Sequence, residues 1–176
     1  MTDTDDSEKR VLDELGRRFL AALEHKEANR IDQAEDLLRG ILRQEPRLAE
    51  PRLELARILL DTDRLDEAED HAREALDVLE KGGQWTDELP EAVMTALAHA
   101  TLAEILRRKA DEDDVIFGDA DAFKALVQDA KSHFQKAATL DPRDEYASYY
   151  AIFMGENDAP PPDLAGKPEL TGPDDA

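Results

Sequence analysis

The chain contains no cysteine among its 176 residues. That excludes a disulfide framework, a thiol nucleophile and any cysteine-ligated metal. It also lacks a run of the roughly 18–20 apolar residues a helix needs to cross a bilayer. The opening Met-Thr-Asp-Thr-Asp-Asp has neither the basic start nor the apolar stretch of a secretory signal, so a cytoplasmic location is expected. Cations are scarce: 22 Lys and Arg stand against 43 Asp and Glu, a formal net charge of −21. A surface of that sign repels phosphate backbones and anionic lipid, which excludes nucleic-acid and membrane partners. Gly-x-x-x-x-Gly-Lys loops, Gly-x-Gly-x-x-Gly turns and Gly-x-Ser-x-Gly elbows are missing too. No catalytic residue and no cofactor is therefore expected, and the protein is read as a non-enzyme.

What is present is a repeat. Arg30-Ile31-Asp32-Gln33-Ala34-Glu35-Asp36 returns as Arg64-Leu65-Asp66-Glu67-Ala68-Glu69-Asp70, an offset of 34 residues that also carries Ala22 onto Ala56 and Leu42 onto Leu76. Apolar residues at helical spacing make each period a helix, a short turn and a second helix, about 15–28 with 31–44 and about 49–61 with 65–80. Pro46 closes the first period, since proline stops a helix and disfavours the α region for its predecessor. A third period is hidden by an insertion. Ala130, Phe134, Ala137 and Pro142 reproduce the second-helix pattern, with a first helix expected at about 88–109, Asp87 as its N-cap, and Ala103 in the place of Ala22 and Ala56. Ala103 and Ala130 are 27 residues apart where the other two repeats have 12, so about 15 extra residues fall near 109–123.

The expected organisation follows. Residues 1–6 form a disordered acidic N-terminus, and 7–154 form a helical repeat domain with repeats at about 15–48, 49–82 and 88–142. A capping helix spans 143–154, carrying Tyr146, Tyr149, Tyr150 and Phe153. Residues 155–176, rich in proline and acids, form a disordered tail.

The small residues in both helices, the larger one further along and the closing proline resemble the tetratricopeptide repeat, a 34-residue helix-turn-helix unit. The residues that carry the resemblance are Ala22, Ala34, Leu38 and Pro46, then Ala56, Ala68, Ala72 and Ala75, then Ala103, Ala130, Phe134, Ala137 and Pro142. The resemblance implies an all-α, right-handed superhelical stack of helix pairs. It also implies a protein-binding scaffold whose first helices line a concave groove. Aligned on that scheme, the partner-binding residues are Phe19, Leu23, Leu53, Arg57, Leu60, Ala100, Glu104, Arg107 and Arg108, a groove apolar at one end and basic at the other. Such a groove suits a peptide or protein segment with apolar anchors and an acidic end. Some members of the family grip a carboxy-terminal carboxylate with basic and amide residues. The matching positions here are Phe19, Leu23, Glu54, Leu97 and Thr101, so that clamp is absent.

The remaining candidates are weaker. A calcium loop starting at Asp111 would place Ile116 where the sixth-position glycine belongs. One starting at Asp113 gains Gly118 there but puts Val115 and Phe117 at ligand positions. His25, His71, His99 and His133 fall in separate helices without a His-x-x-x-His pair, so no metal site is expected. The insertion is expected to be a loop that tucks Val115 and Phe117 against the third repeat, the alternative being a docking finger or a flap over the groove, and Trp85 is expected to pin the long link onto the stack. The function expected is an adaptor that binds a protein or peptide. One alternative is a secretion-type chaperone for a hydrophobic client; the other is a structural subunit that self-associates through Tyr146, Tyr149, Tyr150 and Phe153.

Overall fold

A computed structural model describes residues 3–86 and 89–155. They form eight helices and no strand: α1 Asp3–Glu27, α2 Ile31–Gln44, α3 Ala49–Asp61, α4 Leu65–Glu80, α5 Glu91–Ala110, α6 Asp113–Ile116, α7 Ala120–Leu140 and α8 Glu145–Phe153. Helices α1/α2, α3/α4 and α5/α7 are the three hairpins, α2 packs on α3, α4 on α5, and α8 on α7. This is the all-α stack of helix pairs that the 34-residue period predicts.

Alanine makes the stack close. Ala22, Ala56 and Ala103 in the first helices, and Ala34, Ala68 and Ala130 in the second, are all buried. With no side chain beyond Cβ, they let helix axes approach to ~8–10 Å. The tight turns repeat as well. Asn29 and Asp63, 34 residues apart, adopt φ of 57° and 60°. After each, the next amide bonds five residues back, Arg30 N–H to the His25 carbonyl (2.8 Å) and Arg64 N–H to the Leu59 carbonyl (2.9 Å). That pattern closes a helix through one left-handed residue, and Asn and Asp tolerate that conformation better than most side chains.

The second repeat ends without a proline and stops by the same device. Gly82 takes φ +78° and the Gly83 N–H bonds the Val78 carbonyl at 2.9 Å. Gly83 is then pressed against the backbone: a methyl there would lie 2.6 Å from the Arg47 carbonyl oxygen and 2.9 Å from that of Val78. Gly83→Ala should therefore cost about 1–3 kcal/mol through overpacking. Urea unfolding checks this, and a midpoint equal to wild type would show that the link can shift freely.

Four expectations need correcting. Helix α1 begins at Asp3, so most of the segment expected to be disordered is helical; acids are favoured at the positive end of the helix dipole. The fifth helix starts at Glu91 with Pro90 as its N-cap, and the expected cap Asp87 lies outside the described residues. The insertion is largely helix rather than loop. Helix α7 has 21 residues against 14 in α2, its new start capped by Asp119, whose side chain accepts from the Asp121 and Ala122 amides at 3.0 Å. Phe117 does not tuck in: it is 83% exposed, while Val115 is half-buried in the α6 turn. Of the expected tail, all but Gly155 lies outside the described residues.

Candidate functional site

Helices α1, α3 and α5 converge on a cavity of about 340 Å³. Helix α1 contributes Phe19, Leu20 and Leu23, helix α3 contributes Leu53 and Arg57, and helix α5 contributes Met94 and Leu97. The link before α5 adds Trp85 and Leu89. Leu20 is 59% exposed and Leu89 39%, while Leu53 and Met94 sink into the core beneath them. The lining is thus an apolar floor with an accessible rim.

A buried carboxylate shapes one wall. Glu50, in the first turn of α3, accepts the Trp85 amide (2.8 and 3.0 Å), the Thr86 amide (2.8 Å) and the Thr86 hydroxyl (3.3 Å). These bonds fold the link back over α1, and the Trp85 ring comes to rest 6.0 Å from that of Phe19. Trp85 also passes over Gly16, where an added methyl would meet the indole at an ordinary contact distance of 3.7 Å. It therefore pins the link and walls the groove at once.

Of the nine residues expected in the groove, the structure brings Phe19, Leu23, Leu53 and Arg57 together. Arg57 is held by Glu54 at 3.3 Å, and Glu54 also pairs with Lys26. Leu60 is buried in the core and Ala100 packs against it.

The expected basic end does not form. Arg107 donates twice to Glu104, each bond 2.8 Å, and bonds Asp111 at 2.9 Å. Its guanidinium also lies 5.6 Å from the centre of the Tyr150 ring. Arg108 reaches the Leu60 carbonyl at 3.2 Å and Glu104 at 3.4 Å, tying α5 to the end of α3. Glu104 further accepts the Tyr146 hydroxyl at 2.6 Å. Both arginines are thus drawn onto Glu104, with Asp111 as a second acceptor for Arg107.

Titration follows this geometry. Burial pushes the Glu104 carboxyl up, but the hydrogen bonds from Arg107 and Tyr146 outweigh it and hold it below the ordinary glutamate range. The bond to Glu104 raises Arg107 further, and burial followed by the Glu104 bond raises Tyr146.

The cap is only partly available for self-association. Tyr150 is buried and stacks on Phe134 at 5.0 Å, and Tyr146 is committed to Glu104 and Phe134. Of the four aromatic residues expected there, Phe153 is the one that stays exposed, beside an exposed Ile152.

Sequence spacing also missed a histidine contact. His99 on α5 and His133 on α7 meet with their Nδ1 atoms 2.8 Å apart. Burial, followed by the neighbouring His133 and Lys136, pushes His99 down to about 4, and burial lowers His133 despite Asp129 at 3.5 Å. A bond between two Nδ1 atoms needs one of them as acceptor, so at least one ring is neutral. The pair seals the α5/α7 seam.

Outside the groove, the duplicated heptapeptide builds an ion-pair ladder. Glu35 accepts from Arg39 and Arg64, and Glu69 from Arg73 (2.8 Å) and Lys109 (2.8 Å). Arg39 continues to Glu67 and Arg73 to Asp129 of the next repeat. The Arg64 hydrogen bond holds Glu35 below the usual carboxylate range. At Glu69, burial acts upward but is outweighed by Lys109 and Arg73.

Among the described residues, no helix is long and apolar enough to cross a membrane. Residues 26–86, about a third of the chain, match a family model described as a tetratricopeptide repeat. The match spans the end of α1, the next three helices and the link through Thr86. Comparison with curated proteins finds no match.

Proposed function

We propose, for a chain that belongs to the tetratricopeptide repeat family, that the groove between α1, α3 and α5 binds a protein segment by its apolar side chains. The observation that carries this reading is the convergence of three first helices on a cavity whose rim leucines are accessible. An exposed leucine alone is ordinary. Leu20 and Leu89, lining one cavity with a half-buried Phe19 and with Trp85, form a surface whose burial would be favourable at ~25 cal/mol per Å². The arginines add little to recognition there, since Arg57 is paired within the chain. The partner is therefore read as a segment with leucine or aromatic anchors at helical spacing. This replaces the segment with an acidic end that charge alone would select.

We take the helical stack from α1 to α8 as the folded unit that presents this groove, in the cytoplasm, without catalysis or a cofactor. A chaperone for a hydrophobic client would use the same groove and would be recognised by a client soluble only when co-expressed with this protein. The structural-subunit alternative loses weight because Tyr146 and Tyr150 are engaged within the chain.

The test is capture from native extract by the full chain beside a Leu20→Glu/Leu89→Glu double variant. Both positions are exposed, so circular dichroism should show the same melting curve. A partner identified with wild type should bind the variant at least tenfold more weakly, about 1.4 kcal/mol. Equal capture by both proteins would remove the groove from the binding surface.

A further inference from the structure

The two turns added at the start of α7 copy the face of the turns that follow. Seven residues are close to two turns of an α-helix. Phe123 therefore stands in line with Ala130, Val127 with Phe134 and Lys124 with Lys131. Ala130 and Phe134 are fully buried in the stack. Their counterparts are less buried: Phe123 is exposed, Val127 is half-buried against the edge of the core, and both line a cavity of about 750 Å³. Its other walls are the end of α5 and the aromatic edge of α8, Tyr149 and Phe153.

The charge of this cavity is opposite to that of the molecule. Arg107, Lys124 and Lys131 line it against one acid, Asp111, on a chain of net charge −21. Asp111 is already bonded to Arg107 at 2.9 Å. Lys124 and Lys131 have no hydrogen-bond or ion-pair partner among the described residues. Arg43 and Lys136 likewise have none among the described residues, whereas Lys26, Arg64, Arg73, Arg108 and Lys109 are paired. Two cations thus remain unmatched beside an apolar hollow, although the chain carries nearly twice as many acids as bases.

We propose that this cavity is a second docking site, separate from the groove between α1, α3 and α5. It takes an acidic peptide segment with one apolar or aromatic anchor. The anchor enters between Phe123 and Val127 on one side and Tyr149 and Phe153 on the other. The carboxylates flanking it pair with Lys124 and Lys131, which stand two turns apart along α7. An anion alone would gain little from one exposed and one half-buried lysine, and an apolar group alone would leave them unmatched.

The probe is a fluorescein-labelled nonapeptide with a single phenylalanine flanked by aspartates and glutamates, compared with its asparagine and glutamine counterpart by fluorescence anisotropy on the full chain. The acidic peptide should bind at least tenfold more tightly than the amide one. Lys124→Glu/Lys131→Glu should lose at least tenfold in affinity, with Lys124→Gln/Lys131→Gln in between. Neither substitution breaks a bond, so melting curves should match wild type. Leu20→Glu/Leu89→Glu, in the other groove, should leave this binding unchanged.

Equal binding of both peptides, or full affinity in the Lys→Glu variant, would overturn the proposal. So would a concentration-dependent dimer that the same variant abolishes, which would assign the cavity to a second copy of this chain. A tenfold gain in peptide affinity on replacing Glu156, Asp158 and Asp163 by their amides would assign it instead to the chain's own C-terminal segment.

Discussion

Phe134→Ala is expected to lower stability by about 3–5 kcal/mol, a large share of the ~5–15 kcal/mol that holds a domain together. Phe134 is among the largest fully buried side chains and sits where α7 meets the cap. Its ring lies 5.0 Å from Tyr150 in a stacked arrangement and 5.9 Å from Tyr146 edge-on. Truncation would remove the surface on which both tyrosines rest and leave a void between two helices. Urea unfolding measures the loss, and near-ultraviolet circular dichroism of the tyrosines should weaken with it. Phe134→Leu, which fills most of the volume, should cost less than half as much. A loss below 1 kcal/mol in the alanine variant would mean that α8 contributes little to the stack.

Glu104→Ala should cost about 2–4 kcal/mol. The carboxylate is 17% exposed and Arg107 24%, so the pair is far from a surface ion pair. Removing it leaves the Tyr146 hydroxyl without its acceptor and the half-buried Arg107 guanidinium with Asp111 alone. Breaking one side of such a pair costs more than the pair itself contributes.

The pH dependence fixes the sign. Glu104 titrates below its ordinary value near 4.5, so its contribution is fully present above that value and is lost as pH falls through the lower folded value. Wild type should therefore lose stability on acidification below about pH 4.5, and Glu104→Ala should lose measurably less over the same range. Parallel curves would show that Glu104 titrates normally. Because Phe134 and Glu104 share Tyr146, the double variant should fall short of the sum of the two losses.

Much of the fold was legible because its determinants are local and periodic. An alanine every 34 residues at a helix crossing is a steric requirement, and the crossing returns once per repeat. The third hairpin was harder. Asp111–Asp119 is acidic enough to look like a loop, yet Asp119 caps α7, and Phe123, Leu126, Val127 and Ala130 carry helical spacing from there onward. That pattern was available in the sequence and was hidden by the charge in front of it.

The site was legible in part. Phe19, Leu23, Leu53 and Arg57 meet because they occupy first helices of adjacent repeats. Arg107 does not join them because it pairs along its own helix with Glu104 and Asp111, with the Tyr150 ring of α8 beside it. No spacing rule places Tyr146 over Glu104, or His99 against His133. Those contacts arise from packing between helices far apart in sequence. Leu20 and Leu89 were missed for a simpler reason: one neighbours Phe19 in sequence, and the other lies in the link.

The lengthening of α7 also bears on how such a chain can change size. Helix α7 exceeds α2 by seven residues, and every one of them precedes Ala130. An addition of five would have swung the forward turns by about 140° relative to the buried ones, taking Phe123 and Val127 out of line with the core. The two-turn step extends the line of the face that packs behind it, whereas an intermediate step would present a different one. The extension could arise without redesigning the seam behind it, and a further step of the same size would lengthen the same wall.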